Sequence, residues 1–202
     1  MKREDLKRGP VRLIARKTFA KPDLIKVGSG DRTLVVKDVG EKNFFVRWTL
    51  GLWLIHKEWS IYSRLVGTQG IPRVVERVDR FAFTMEFVPG RPIGRKESLS
   101  LSFFNELERI LEEVHSKGVV HLDLRHKGNI LVSEKGSPVL IDFNSAFYFR
   151  EGLLRRILFP LLRWVDYGAI LKLKRRVASS MTHQELNTLK RLNRLRKFWI
   201  FN

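Results

Sequence analysis

The chain predicts an α+β fold in two small lobes, the first rich in strands and the second mainly helical. Three observations predict it. Short β-prone runs bounded by turn residues gather in the first 88 positions, and segments with apolar residues at steps of three or four dominate the remainder. The length of 202 residues, with 44% apolar content, suffices for an adequate core. The expected divisions are a basic N-terminal extension at 1–22, a strand-rich lobe at 23–88 and a reduced helical lobe at 89–202.

Residues 24–27 and 33–39 read as strands around a glycine turn that contains Gly28 and Gly30. That turn suits either a plain hairpin or close approach to a phosphate. From 44 to 65, Trp48, Leu52, Ile55, Trp59, Tyr62 and Leu65 recur at helical spacing, which sets Glu58 beside the apolar stripe. Residues 73–79 and 81–87 form a strand pair that ends at Pro89-Gly90. The next helix runs from 102 to 116, with Ser102 as its cap and Leu107, Ile110, Leu111 and Val114 as its buried face. Beyond it, 130–132 and 139–141 are β-prone runs joined by the turn-rich segment 133–138, a hairpin.

The chemistry-bearing residues flank that hairpin. His121-Leu-Asp-Leu-Arg-His-Lys-Gly-Asn129 precedes its first strand, and Asp142-Phe143-Asn144 follows its second. Two carboxylates and one carboxamide between apolar runs are the layout of metal-assisted phosphoryl transfer. Asp123 accepts the proton of an attacking hydroxyl, while Asn129 and Asp142 hold Mg²⁺ against nucleotide phosphates. Arg125 and Lys127 suit either an anionic group in transit or ordinary loop solvation.

With these motifs on the page, residues 30–170 resemble the protein-kinase-like superfamily, and within it the small bacterial lipopolysaccharide sugar kinases (Kdo or heptose kinases) and RIO-type kinases. The resemblance implies ATP and Mg²⁺ as cofactors. It sets Lys37 on the α- and β-phosphates with Glu58 as its carboxylate partner, and Gly28 and Gly30 near the phosphates. It makes Met85 a wall of the adenine site, with Glu86 and Val88 offering backbone hydrogen bonds to the base. It gives His121 a bracing role and makes Asp166 the buried anchor of the catalytic loop. Two departures stand out. Six positions separate Asp123 from Asn129, one more than in the common kinase loop, so either the loop bulges near Gly128, which can take positive φ at little cost, or Asn129 is displaced. Asn144 replaces the motif's glycine, and asparagine tolerates the left-handed region expected there.

Only 58 residues follow Asn144, and no Ala-Pro-Glu element is among them. In their place residues 153–177 combine leucines with Arg155, Arg156 and Arg163, and Pro160 is expected to kink or interrupt the run. A second basic amphipathic stretch, 189–199, leads to Trp199, Ile200 and Phe201. These faces suit either an anionic membrane surface or core packing with arginines in water.

The formal charge of +18 is concentrated at the ends. Residues 150–202 carry 13 Lys and Arg against 3 acids, and residues 1–22 carry 8 against 2. Such a surface favours polyanions or serves as a solvated face. Without cysteine there is no disulfide framework or thiolate site, and the five scattered His show no zinc pattern. No export signal or spanning helix is visible, so a cytoplasmic protein is expected, soluble or peripheral on the inner membrane. The expected activity is transfer of the γ-phosphate of ATP to a hydroxyl, with a lipopolysaccharide core sugar or related anionic glycolipid as acceptor. The alternatives are a RIO-like serine/threonine protein kinase and a nucleotide-binding pseudokinase adaptor. Nucleic acid is disfavoured because no readout motif is present.

Overall fold

The computed structural model describes residues 3–4, 11–15, 21–28, 33–94, 97–178 and 181–198. The chain divides into two compact units, Met1–Pro89 and Gly90–Asn202.

In the first unit, runs rich in β-branched and aliphatic residues form β1 (Val11–Ala15), β2 (Asp23–Val27) and β3 (Leu34–Asp38). After a helical segment come β4 (Val74–Arg77) and β5 (Ala82–Glu86), completing an antiparallel sheet of order β1-β2-β3-β5-β4. The register sets Lys37 opposite Leu24 on one side and Phe83 on the other. Strand β1 lies inside the segment read as a basic extension, where Arg12 and the cations before it obscure its β character. Arg3, from the same segment, donates to Asp79 at 2.6 Å and Asp38 at 2.9 Å, and these carboxylates push its pKa further up.

The helical segment is continuous but not uniform: α1 (Phe44–Val46), a π-helical turn (Arg47–Gly51) and α2 (Leu52–Arg64). Buried Gly51 lets this turn pass close to β3's end, since a Cβ there would stand 3.3 Å from the Val39 side chain. The wider π turn takes its own residues and those before it off the face that follows. Trp48, expected in the buried stripe, is therefore 40% exposed, whereas Ile55, Glu58, Ile61, Tyr62 and Leu65 are buried.

The second unit opens with β6 (Gly90–Pro92) and α3 (Leu101–Ser116). Ser100, not Ser102, caps α3 by accepting from the Phe103 N–H at 3.2 Å, because the helix starts one residue earlier than its sequence suggests. Leu107, Ile110, Leu111 and Val114 are fully buried, as their spacing predicts. Then follow β7 (Val119–Val120), β8 (Ile130–Ser133), β9 (Pro138–Leu140) and β10 (Phe147–Tyr148). The β8–β9 hairpin exists, Leu131 facing Val139, and β6 pairs with its outer edge.

Helix α4 (Leu153–Val177) runs on through Pro160, which does not interrupt it. Pro160 is exposed, while Phe159 beside it and Asp166, about two turns after Phe159, are buried and fasten that side to the unit. Helix α5 (His183–Phe198) is tied to α4 by Lys174, whose ammonium pairs with Glu185. Trp199, Ile200 and Phe201 lie outside the described residues. Among those described, no helix is long and apolar enough to cross a membrane.

Candidate active site

In the second unit the site is built on a buried carboxylate. Asp166 of α4 accepts from the backbone N–H of Leu122 at 2.7 Å and of His121 at 2.8 Å, and from His115 Nε2 at 3.0 Å. Leu122 sits at φ 64°, a left-handed conformation that costs a side-chain-bearing residue about 1–2 kcal/mol. The charge-assisted bonds from Asp166 hold it there. His121 continues the clamp. Its Nε2–H donates to the Ile141 carbonyl at 3.1 Å, its Nδ1 accepts from the Asp123 N–H at 3.3 Å, and its ring lies 4.6 Å from that of Phe143. Both nitrogens are thus used by a neutral ring, and burial pushes its pKa below the ordinary value, outweighing the opposing pull of Asp166. This is the bracing role expected of it.

Asn129 meets Asp123 directly. Its amide nitrogen donates to the Asp123 carboxylate at 2.9 Å and to the Asp123 carbonyl at 3.0 Å. Gly128 does not take a positive φ. Two successive tight turns, His126 N–H to Asp123 carbonyl and Asn129 N–H to His126 carbonyl, absorb the residue, the second as a 3₁₀ turn over Lys127–Asn129. The Ile141 N–H then donates to the Asn129 carbonyl at 3.0 Å, joining this loop to the strand end that precedes Asp142.

At the second motif the left-handed residue is Asp142, with φ 63° and ψ 71°, and not Asn144. Asn144 belongs to a 3₁₀ turn, Phe143–Ser145, from which its amide donates to the Asp142 carboxylate at 2.6 Å. Glycine could not make that bond. The substitution therefore orients the aspartate instead of supplying turn freedom.

These donors fit Mg²⁺. Both amide hydrogens of Asn129 are spent on Asp123, so its oxygen is the atom it offers a cation, and Asp142 adds a carboxylate held in place by Asn144. Hard oxygen donors in small number, completed by water and phosphate oxygens, are the set Mg²⁺ takes.

In the first unit, Lys37 of β3 and Glu58 of α2 are both buried and form an ion pair, and the Lys37 ammonium stands 5.9 Å from the Tyr62 ring centroid. Gly28 ends β2 at φ 92°, a conformation that calls for glycine, while Gly30 lies outside the described residues. Met85 is buried in β5. The Glu86 N–H donates to the Arg73 carbonyl at 2.9 Å, and its carboxylate pairs with Arg73 at 3.0 Å, so the backbone group left for a ligand is its carbonyl. Val88 is half-buried.

Sequence reasoning missed the Asn144 bond and the contribution of His115, whose Nδ1 accepts from Arg163 at 3.4 Å. Neither leaves a trace in the sequence, since the first looks like a lost glycine and the second joins residues 48 positions apart.

A buried lysine–glutamate pair on a strand-rich unit and a braced Asp–Asn loop followed by a left-handed aspartate on a helical one define a protein-kinase-like protein. The model of the ABC1 atypical kinase-like domain matches residues 63–184, more than half of the chain, and the chain belongs to that family. The matched stretch carries Asp123, Asn129, Asp142 and Asp166, whereas Lys37 and Glu58 precede it. The expected superfamily is thereby shown, at that level and not at the level of the sugar-kinase or RIO branches. A search of curated proteins finds no match. Family membership supports a kinase-like phosphotransferase or a pseudokinase, with general use of ATP.

Proposed function

We propose that the protein is an ATP- and Mg²⁺-dependent phosphotransferase acting on a hydroxyl. The observation that carries this reading is the seating of Asn129 on Asp123, which gives the loop both a base and an oxygen ligand despite its extra residue. Lys37, held by Glu58, orients the α- and β-phosphates. Gly28 approaches the phosphates, and Met85, Val88 and the Glu86 carbonyl receive the base. Asn129 and Asp142 would hold Mg²⁺, which when bound would neutralise phosphate charge. Asp123 takes the acceptor's proton as the acceptor oxygen bonds to the γ-phosphorus and the bond to ADP breaks. The products are ADP and a phosphate monoester.

For the acceptor we assign a sugar hydroxyl of a lipopolysaccharide core or related anionic glycolipid. Exposed Arg125, two residues from Asp123, and the cationic last quarter of the chain support an anionic acceptor over a neutral one. A protein serine or threonine is the alternative acceptor. The bond that ties Asp142 to Asn144 favours a second reading, a nucleotide-binding pseudokinase adaptor in which that turn no longer switches.

Single-turnover transfer of labelled γ-phosphate to delipidated core oligosaccharide and to a generic protein acceptor tests this. Transfer to the oligosaccharide, cut by roughly 10²–10⁴-fold in Asp123→Asn, is expected. An Asp123→Asn variant with full activity removes the base. Absence of Mg²⁺-dependent thermal stabilisation by ATP removes the enzyme reading altogether.

A further inference from the structure

Helix α4 is turned the opposite way from an ordinary surface helix. Between residues 153 and 165 the apolar side chains face out: Leu153 is 72% exposed, Leu154 68% and Ile157 55%, with Leu161, Trp164 and Val165 also exposed. At about 100° per residue these positions span an arc of roughly 120°. Single exposed leucines are ordinary, but a contiguous set of this width is not.

The helix is not loosely held. Its other side is fastened to α3, with Phe159 and Asp166 buried. Arg155 folds back to the Ser116 carbonyl at 3.3 Å and over the Phe159 ring, and Arg163 reaches His115. The fold therefore turns Arg155 and Arg163 inward, leaves Arg156 exposed and presents its leucines to the surroundings.

We propose that this face docks on an anionic lipid bilayer, lying on it and not crossing it. Charge selects the occupant. Residues 153–165 contain Arg155, Arg156 and Arg163 and no acid, and exposed Arg156 lies just outside the apolar arc. The three arginines line a concavity of about 610 Å³ at the helix's inner edge, where Glu112 and Glu151 also stand. An acid-free apolar face with exposed Arg156 at its side and a tryptophan within it matches the acyl–headgroup boundary. A second copy of the chain is a poor occupant, because pairing the face with itself brings together two chains of formal charge +18. The proposal stands independently of the phosphotransferase reading.

Co-sedimentation of the full chain with phosphatidylcholine vesicles, with and without phosphatidylglycerol, tests it. Binding to the anionic vesicles is expected, weakened by salt, and reduced by roughly tenfold or more in the double variant Leu154→Gln/Ile157→Gln. Both side chains point to solvent, so the variant's thermal unfolding should match that of the parent. Trp164→Phe should remove part of the fluorescence quenching by brominated lipid. No binding to anionic vesicles, equal binding to neutral ones, or unchanged binding by the double variant overturns the proposal. So does binding that survives the double variant and is lost in Phe45→Ser, on the exposed start of α1, or a parent dimer that the double variant converts to monomer without any vesicle binding.

Discussion

Replacing Asp166 with asparagine tests the clamp beneath the catalytic loop. The carboxylate accepts from two backbone N–H groups, at 2.7 and 2.8 Å, and from His115, all in a fully buried setting. Asparagine retains one acceptor oxygen and turns an NH₂ toward at least one of those donors. A lost bond to a charged group costs about 1.5–3 kcal/mol, and the buried donor left behind adds about 1–3 kcal/mol. The left-handed Leu122 also loses its tether, which frees about 1–2 kcal/mol of strain to distort the loop. At mid-range the first two contributions come to about 4 kcal/mol, and the released strain offsets part of it, which puts Asp166→Asn at roughly 3 kcal/mol, a large share of the 5–15 kcal/mol typical of a domain. Urea unfolding followed by circular dichroism and by tryptophan fluorescence measures it, with the two compact units allowed separate transitions. Leu122→Gly supplies the cross-check. Glycine adopts the left-handed region without strain, so Leu122→Gly should recover about 1 kcal/mol in the parent, where Asp166 holds the strained conformation, and distinctly less in the Asp166→Asn background, where the loop has already relaxed. A cost below about 0.5 kcal/mol for Asp166→Asn, or no coupling to Leu122→Gly, refutes the clamp.

Other outcomes follow from the same packing. Lys37→Met deprives buried Glu58 of its cation and should destabilise the protein by about 3–5 kcal/mol, while the pair Lys37→Met/Glu58→Leu should regain most of that without regaining phosphotransfer; denaturant melts and transfer assays separate the two effects. His121 is held neutral with its pKa lowered by burial, so the unfolded state binds the extra proton first. Stability is therefore complete above the ordinary imidazole value of about 6.5 and falls as pH drops below it toward the lowered folded value, a slope that His121→Phe should flatten in pH-dependent unfolding. Ser100→Ala should cost about 1 kcal/mol through loss of the α3 cap, and Ser102→Ala distinctly less, as paired thermal melts will show.

Local pattern carried much of this protein in its sequence. Apolar β-prone runs on either side of a turn-rich segment encode the β8–β9 hairpin, and steps of three and four from Leu107 to Val114 encode the buried face of α3. The Lys37–Glu58 pair and the anchoring role of Asp166 are instead what the resemblance to protein-kinase-like proteins implies. The hairpin and the helix face depend on neighbours within a few residues.

What the sequence left open was settled by contacts between distant segments. Periodicity marks α4 as two-sided, but which side turns inward is decided by Phe159 and by Asp166, bound to the backbone 44 and 45 residues away. Composition cannot tell a glycine replaced for turn geometry from one replaced by a hydrogen-bond donor, and only the Asn144–Asp142 contact does. An extra loop residue is likewise silent about whether it bulges or tightens into a 3₁₀ turn until His121 and Ile141 fix both ends of the loop. Short-range periodicity chooses each element and its two faces. Satisfaction of buried polar groups, which requires partners far apart in the chain, chooses among the orientations that periodicity permits.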